Sequence, residues 1–427
     1  MKKIFYFAIV SALALTSCHK DKEDIVTPDA PKGKGDVTEA LSNTSAQEKL
    51  ESYATEFVDK FKPEDQKKVI STLKTLADLF DELGEPEDWS EDTDELIQVK
   101  KNPVASYANN MAASLTTKDY SKATEIDDEF FFEFDDFAGV YEEQNDGWNR
   151  TDSKDIVFKF KSDGSNCEFK AVKTGSTIQE TFNDDGDKYK FGAPSGVEIT
   201  LTADGETLLK TSAKADYKSR ESLVVNVTCT VANLSASSET SITNTKISDK
   251  QTVSVDGSTL VFTEFAINGN HFTDVSHFEN LLTEESQEIA LKDYITAMNG
   301  SINVMGNVQI TCNSNLSDYF ANTEAMDYET AEDAKKFCDE WNKSTIVKFF
   351  YSGTDVLQGT LKLQPYLIDS WTSYRGTKYE EWGTQAIICF ENDGSTFAFE
   401  DYFNQDKFAN TDNQVQTLLD KYEAYWK

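Results

Sequence analysis

The stretch IVFKFKSDGSNCEFKAV, residues Ile156–Val172, decides the fold class of this chain. Apolar and polar residues alternate on both sides of Asp163-Gly164, a dipeptide that supplies the positive φ angles of a tight hairpin turn. The stretch VEITLTADGETLLKTSA, residues Val197–Ala213, repeats this arrangement around Asp204-Gly205. Consecutive hairpins with this alternation predict an antiparallel meander with one covered face.

Helical periodicity lies on both sides of this β-rich region. Between residues 45 and 125, apolar side chains recur at steps of three and four, for example at Leu73, Leu76 and Phe80. From about residue 276, helical patterns return among further strands, and a closing helix is predicted at the C-terminus. We therefore expect an α+β fold. A helical segment at 45–125 packs with a large, curled, half-barrel-like antiparallel meander at 126–275, and a mixed α/β continuation follows at 276–427.

Residues 1–17 have the features of a secretory signal. Lys2 and Lys3 precede an uncharged run, Ile4–Leu15, that is too short to span a bilayer comfortably. The run ends in Leu15-Thr16-Ser17-Cys18, which resembles a bacterial lipobox. This resemblance implies cleavage between Ser17 and Cys18 and lipidation of Cys18. Two or more acyl chains anchor a protein stably, since each buried CH₂ contributes about 0.8 kcal/mol.

Residues 18–44 are predicted to form a flexible acidic tether, because charged residues directly after Cys18 are followed by proline and glycine. The charged run His19–Asp24 is similar to the export signal of Bacteroidota surface lipoproteins, although a tether without a sorting role has the same composition. With its helices and its meander, the chain resembles the uncharacterised surface lipoproteins of this bacterial group. The resemblance implies an outer-membrane protein that is held by lipid on Cys18 and faces the cell exterior. It carries over no catalytic residue.

The charge of the chain excludes two classes of partner. The 427 residues include 41 Lys and Arg against 76 Asp and Glu, which gives a formal net charge of −35 at pH 7. A chain this acidic is repelled by nucleic acid and by anionic membrane surfaces. The acidic residues are spread over the tether, the helices and the hairpin loops, so we interpret them as a solubilising coat.

Cysteine and histidine give no sign of a metal site or of nucleophilic catalysis. Five of the six cysteines remain after Cys18, an odd number without the C-x-x-C spacing of a metal site. His271 and His277 are six residues apart, which is not the spacing of a helical metal pair. We therefore predict no catalytic residue, no metal and no cofactor.

Four aromatic residues near the C-terminus are the candidate ligand-binding residues, namely Trp371, Tyr374, Tyr379 and Trp382. Aromatic rings stack on sugars, although packing inside the protein is the commoner role of such residues. The function that we expect is that of a non-enzymatic, surface-anchored binding or interaction protein. Its ligand would be a glycan on these rings, or an acyl chain in an open groove of the curled sheet.

The alternative function is that of a glycoside hydrolase that uses an Asp/Glu pair. With 76 acidic residues, carboxylates at suitable distances arise by chance, so their number carries no information. A pair of carboxyl groups in different environments, at the floor of a cleft, would favour the enzyme.

Overall fold

A computed structural model of the chain describes residues 31–81, 138–144, 147–184, 187–219, 222–273, 294–323, 330–376, 378–403 and 408–426. The predicted signal peptide, Cys18 and the first part of the predicted tether lie outside these residues, as do the predicted borders near residues 125 and 275. No helix within the described ranges is long and apolar enough to cross a membrane.

The described residues contain six helices and sixteen strands. The helices are α1 Asn43–Val58, α2 Pro63–Asp81, α3 Leu316–Thr323, α4 Ala331–Ser344, α5 Phe399–Phe403 and α6 Ala409–Trp426. The first eight strands are β1 Gly139–Gln144, β2 Gly147–Thr151, β3 Ile156–Ser162, β4 Ser165–Asp184, β5 Asp187–Ala203, β6 Glu206–Ser219, β7 Ser222–Val231 and β8 Leu234–Thr243. The other eight are β9 Lys246–Val255, β10 Ser258–Gly269, β11 Ile295–Val304, β12 Val308–Asn315, β13 Thr345–Tyr351, β14 Leu357–Thr372, β15 Lys378–Phe390 and β16 Thr396–Ala398.

The strands form one hydrogen-bonded sheet that follows chain order from β3 to β16, with β1 and then β2 beyond β3. The β1–β3 pair is parallel, and the hairpins whose registers are described are antiparallel. The two edge strands, β2 and β16, are not neighbours, so the sheet is open, as a half-barrel-like meander requires. The predicted α+β class with a large antiparallel meander is confirmed.

The Asp-Gly dipeptides form hairpin turns, as the sequence predicts. Asp163 and Gly164 have φ angles of 49° and 80°, and Asp204 and Gly205 have angles of 49° and 82°. Both central residues therefore have positive φ, the conformation of a two-residue type I′ turn, whose twist matches that of the flanking strands.

The chain divides into two compact units, each with its own core. Unit 1 consists of Met1–Phe61, Lys218–Leu223 and Ser238–Asp420, and unit 2 of Lys62–Tyr217, Val224–Ser237 and Lys421–Lys427. In unit 2, Val69 and Leu76 of α2 pack on strand residues such as Phe158 and Leu201. In unit 1, the largest buried cluster joins α1 to the last strands and to α5, and its members include Ala46, Tyr53, Tyr351, Phe390 and Tyr402.

The last part of the predicted tether packs within unit 1. Val37 is buried, and the backbone N–H of Leu41 donates to Gln358 Oε1 at 2.9 Å. Gly33 lies so close to the backbones of Gly306 and Ser352 that a Cβ atom would overlap them. Within the tether predicted over residues 18–44, residues 33–42 therefore belong to the folded unit 1, because they bury apolar surface and pair their backbone with other residues of that unit.

Candidate binding site on the β14–β15 arm

The hairpin of β14 and β15 extends beyond the rest of the sheet in unit 1. β14 pairs with β13 only along residues 357–361, and β15 pairs with β16 only along Ile387–Cys389. The two strands continue to pair with each other up to Thr372 and Lys378. We call residues 364–385 the arm. Within the described part of the chain, the arm is a ribbon of two strands.

A side chain marks the base of the arm. The Asn342 side-chain amide donates to the carbonyl of Leu363 at 2.8 Å, and its oxygen accepts from the N–H of Leu363 at 2.8 Å. Asn342 thus provides the two hydrogen bonds that a neighbouring strand would provide. Its position explains why pairing to the sheet ends here.

The arm concentrates the exposed large hydrophobic side chains of the described residues. Eight such side chains are exposed, and six lie in the arm: Tyr366, Leu367, Ile368, Trp371, Tyr374 and Tyr379. The arm carries Arg375 and Lys378 against three acidic residues, a net charge of 2 − 3 = −1, whereas the chain carries −35. A nearly neutral apolar patch on a strongly acidic protein is typical of a contact surface.

The cross-strand register assigns the arm residues to two faces. Trp371 lies opposite Tyr379, Asp369 opposite Glu381, and Tyr366 opposite Gly383. Side chains alternate between faces along a strand, so these three pairs share one face, which we call the aromatic face. Leu367 lies opposite Trp382, and Ser370 opposite Glu380, on the opposite face.

Two rings stack on the aromatic face. The ring centroids of Trp371 and Tyr379 are 5.7 Å apart and their planes are 13° from parallel. Trp371 is 49% exposed and Tyr379 is 47% exposed. The rings therefore hold each other in place and leave about half of their surface to solvent, since cross-strand aromatic pairs stabilise a ribbon.

A β-bulge adds a second apolar group to this face. The register shifts between Leu367 and Asp369, so Ile368 has no residue directly opposite. A Cβ atom on Gly383 would lie 2.8 Å from Cδ1 of Ile368, so Ile368 lies over this glycine, beside Tyr366. Ile368 is 54% exposed and Tyr366 is 46% exposed.

The other two predicted stacking residues lie elsewhere. Trp382 is half-buried on the opposite face, where its Nε1–H donates to Glu380 Oε2 at 3.1 Å. Hydrogen bonds from Lys378 and then from Trp382 lower the pKa of Glu380. Tyr374 is 90% exposed at the tip, with the Arg375 guanidinium carbon 5.2 Å from its ring centroid.

The structure therefore brings together only Trp371 and Tyr379 of the four predicted residues. The sequence interpretation missed Tyr366, Ile368 and Gly383. The bulge at Ile368 shifts the alternation of β14, and a period-2 pattern gives no sign of such a shift. Gly383 directly after Trp382 is the one visible signal, because glycine inside a strand often marks a bulge or a close approach.

The faces of the arm are better suited to binding than its β14 edge. Pro365 lacks a backbone N–H, and the bulge at Ile368 interrupts the regular ladder of β14. Edge prolines and bulges both oppose the addition of another strand. A ligand is therefore expected on a face rather than along the β14 edge.

A buried and a partly buried carboxylate in unit 1 do not form a catalytic pair. Asp249 Oδ1 accepts from Ser238 and Thr240 at 3.0 and 2.6 Å, and its Oδ2 is buried without a hydrogen-bond partner. Glu264 on the next strand also has a buried oxygen without a partner. Asp249 lies opposite Phe265, and Glu264 lies opposite Lys250. The two carboxyl groups therefore project from opposite faces of the sheet.

A hydroxyl cluster in unit 1 resembles a nucleophilic site but is closed to substrate. Ser352 donates to Asp36, Tyr53 donates to Ser352, and Lys49 pairs with Asp36 at 2.5 Å. Hydrogen bonds from Lys49 and then from Ser352 lower the pKa of Asp36 to about 2. Ser352 is 1% exposed, so the cluster holds residues 33–42 against the rest of unit 1.

The remaining candidates for chemistry are few. None of the five cysteines beyond Cys18 forms a disulfide, and burial raises the pKa of Cys338 to about 11. Among the described residues, no group of three or more His, Cys, Asp or Glu side chains could hold a metal ion. His277 lies outside those residues.

Comparison with known proteins finds no matching family model, no matching curated protein and no matching solved structure.

Proposed function

We propose that this protein is a non-enzymatic binding protein, anchored in the outer membrane by lipid on Cys18 and facing the cell exterior, and that it binds a glycan on the aromatic face of the arm. The proposal depends on one observation, the stacked and half-exposed pair of Trp371 and Tyr379 beside Asp369 and Glu381. The C–H face of a sugar ring packs on an aromatic ring, and sugar hydroxyls donate to carboxylates in charge-assisted hydrogen bonds.

An acyl chain fits this site less well than a sugar does. Hydrocarbon gains nothing from carboxylates, and Asp369 and Glu381 lie directly beside the rings. An acyl chain also needs an enclosed apolar groove. In unit 2, side chains of α2 such as Val69 and Leu76 occupy the apolar face of β3 to β6. The aromatic face of the arm is open and mixed in polarity, which favours a glycan.

Hydrolysis of the glycan is supported less than binding alone. Asp369 and Glu381 face each other near Trp371, as a glycosidase pair would, but both are exposed on a ribbon of two strands. Glycoside hydrolysis needs an acid and a base, or a nucleophile, in different environments. Two exposed carboxyl groups on one open face have similar environments.

A glycan array tests the proposed function. We would apply the soluble mature protein, without lipid, beside the variant Trp371→Ala/Tyr379→Ala. The matched control is Leu367→Ala, which removes an exposed apolar side chain from the opposite face. We expect glycan binding by the wild type and the control, and at least about tenfold weaker binding by the double variant, because it loses both stacking surfaces.

Two results of the array would contradict the proposal. One is the absence of any retained glycan, and the other is equal binding by the wild type and the double variant. Chromatography of each retained glycan after prolonged incubation distinguishes binding from hydrolysis. Shortened products that disappear in Asp369→Asn or Glu381→Gln would show that the protein hydrolyses the glycan and does not only bind it.

A further inference from the structure

The aromatic face carries two separate apolar groups along its length. The outer group is the stacked pair of Trp371 and Tyr379 near the tip. The inner group is Tyr366 with Ile368, which lies over Gly383 nearer the base. Tyr379 and Gly383 are four residues apart on β15, which corresponds to about 13 Å along a strand. A single sugar ring is too short to cover both groups.

The space between the two groups is polar. Asp369 and Glu381 form the cross-strand pair between them, so their carboxylates are available to the middle of a ligand that reaches both groups. Like charges directly opposite each other destabilise a ribbon slightly. Hydroxyl donors from a ligand would offset this repulsion. The order along the face is therefore apolar, acidic, apolar.

The charge of the face restricts the ligand further. Lys378 pairs with Glu380, which lies on the opposite face, and Arg375 lies over Tyr374 at the tip. Among the residues that the register places on the aromatic face, there are two carboxylates and no basic side chain. The whole chain carries −35. Acidic glycans, with uronate or sulfate groups, are therefore repelled at short and at long range.

On the basis of the proposed function, we infer that the ligand is an extended oligosaccharide without acidic groups, which lies along the arm from the outer group to the inner group. Its terminal units stack on the two apolar groups, and the hydroxyls of its middle units donate to Asp369 and Glu381. A monosaccharide or disaccharide contacts one group only and binds weakly.

Oligosaccharides of graded length test this inference. The probes are neutral gluco-, manno-, xylo- and galacto-oligosaccharides and N-acetylglucosamine oligomers of one to six units, together with oligogalacturonates and heparin fragments. We expect affinity to rise at least about tenfold with chain length in one of the neutral series, since the second apolar group then adds its contacts. We expect no binding of the acidic fragments.

Variants assign the two ends of the ligand. Tyr366→Ala should reduce the affinity of the longest chain to that of the short chain and leave the short chain unaffected. Trp371→Ala should weaken both. Leu367→Ala, on the opposite face, should change neither, and circular dichroism confirms that each variant is folded.

The possible failures can be told apart. Binding that depends on Trp371 but not on chain length or Tyr366 overturns this inference and leaves the proposed function intact. Preferential binding of acidic fragments also overturns it. The absence of Trp371-dependent binding in every series overturns both. Binding of these probes that responds equally to Tyr366→Ala and Leu367→Ala contradicts the assignment of the inner group.

Discussion

At the scale of single residues, Asp36 controls the attachment of residues 33–42 to the rest of unit 1. Its carboxylate pairs with Lys49 and accepts from Ser352, a residue with a positive φ of 58°. These bonds lower the pKa of Asp36 to about 2 from the ordinary value of 3.8. Because the folded-state pKa is depressed, the stabilisation is complete above about pH 4 and is lost as the pH falls towards 2.

We therefore predict that Asp36→Ala makes residues 33–42 sensitive to protease at pH 7, whereas Glu39→Ala, in the same segment, does not. Limited proteolysis followed by mass spectrometry measures the cleavage rates. In the wild type, the cleavage rate with pepsin, relative to that of an unfolded control substrate at the same pH, should be constant at about pH 4 and above and rise between pH 4 and 2. Equal cleavage of Asp36→Ala and the wild type at pH 7 would refute this role.

This contact was not predictable from the sequence. Asp36 and Ser352 are more than three hundred positions apart, and the composition of residues 31–44 resembles that of a free linker. By contrast, the turn at Asp163-Gly164 was predictable, because two adjacent residues determine its backbone angles. Trp371 and Tyr379 were identified as candidates from residue type alone, but their shared face depends on the register of two strands.

At the scale of elements, the arm and the core of unit 1 should respond differently to mutation. Trp371 lies on a ribbon of two strands and is 49% exposed, whereas Phe390 is 3% exposed among other aromatic rings. We predict that Trp371→Ala lowers the free energy of unfolding by about 1 kcal/mol or less. Phe390→Ala should lower it by about 3 to 5 kcal/mol, because it leaves a cavity.

Chemical denaturation of both variants and the wild type measures this difference. A loss of several kcal/mol in Trp371→Ala would show that the arm is part of the folding core. The extension of the hairpin of β14 and β15 beyond the sheet was not predictable from the sequence. That extension depends on where β13 stops and where Asn342 takes over the pairing of Leu363.

At the scale of the whole molecule, a short length of chain connects the proposed lipid anchor to the unit that carries the arm. Gly33 packs within unit 1, which also carries the arm, and 33 − 18 = 15 residues connect Gly33 to Cys18. If Cys18 carries lipid, as proposed, fifteen residues would reach at most about 50 Å and would keep unit 1 close to the membrane. The class of fold was predictable at this scale, from strands and helices in succession. The division into two units was not, because it depends on contacts between distant parts of the chain.

We predict that external protease degrades the wild-type protein in intact cells while a periplasmic marker remains whole. Cys18→Ala, which cannot receive lipid, should be protected in the periplasm. Immunoblotting of both proteins after protease treatment gives the result. Protection of the wild type in intact cells would contradict the outward-facing location.

Glycan binding on the aromatic face is tested by comparing two tryptophans of the same arm. The measurement is the Kd of the longest retained neutral oligosaccharide, determined by calorimetry for the wild type, Trp371→Ala and Trp382→Ala. We predict that Trp371→Ala weakens binding at least about tenfold, because the Trp371 ring lies on the aromatic face. Trp382→Ala should change Kd less than about twofold. Unchanged affinity in Trp371→Ala, or an equal loss in both variants, would contradict glycan binding on this face.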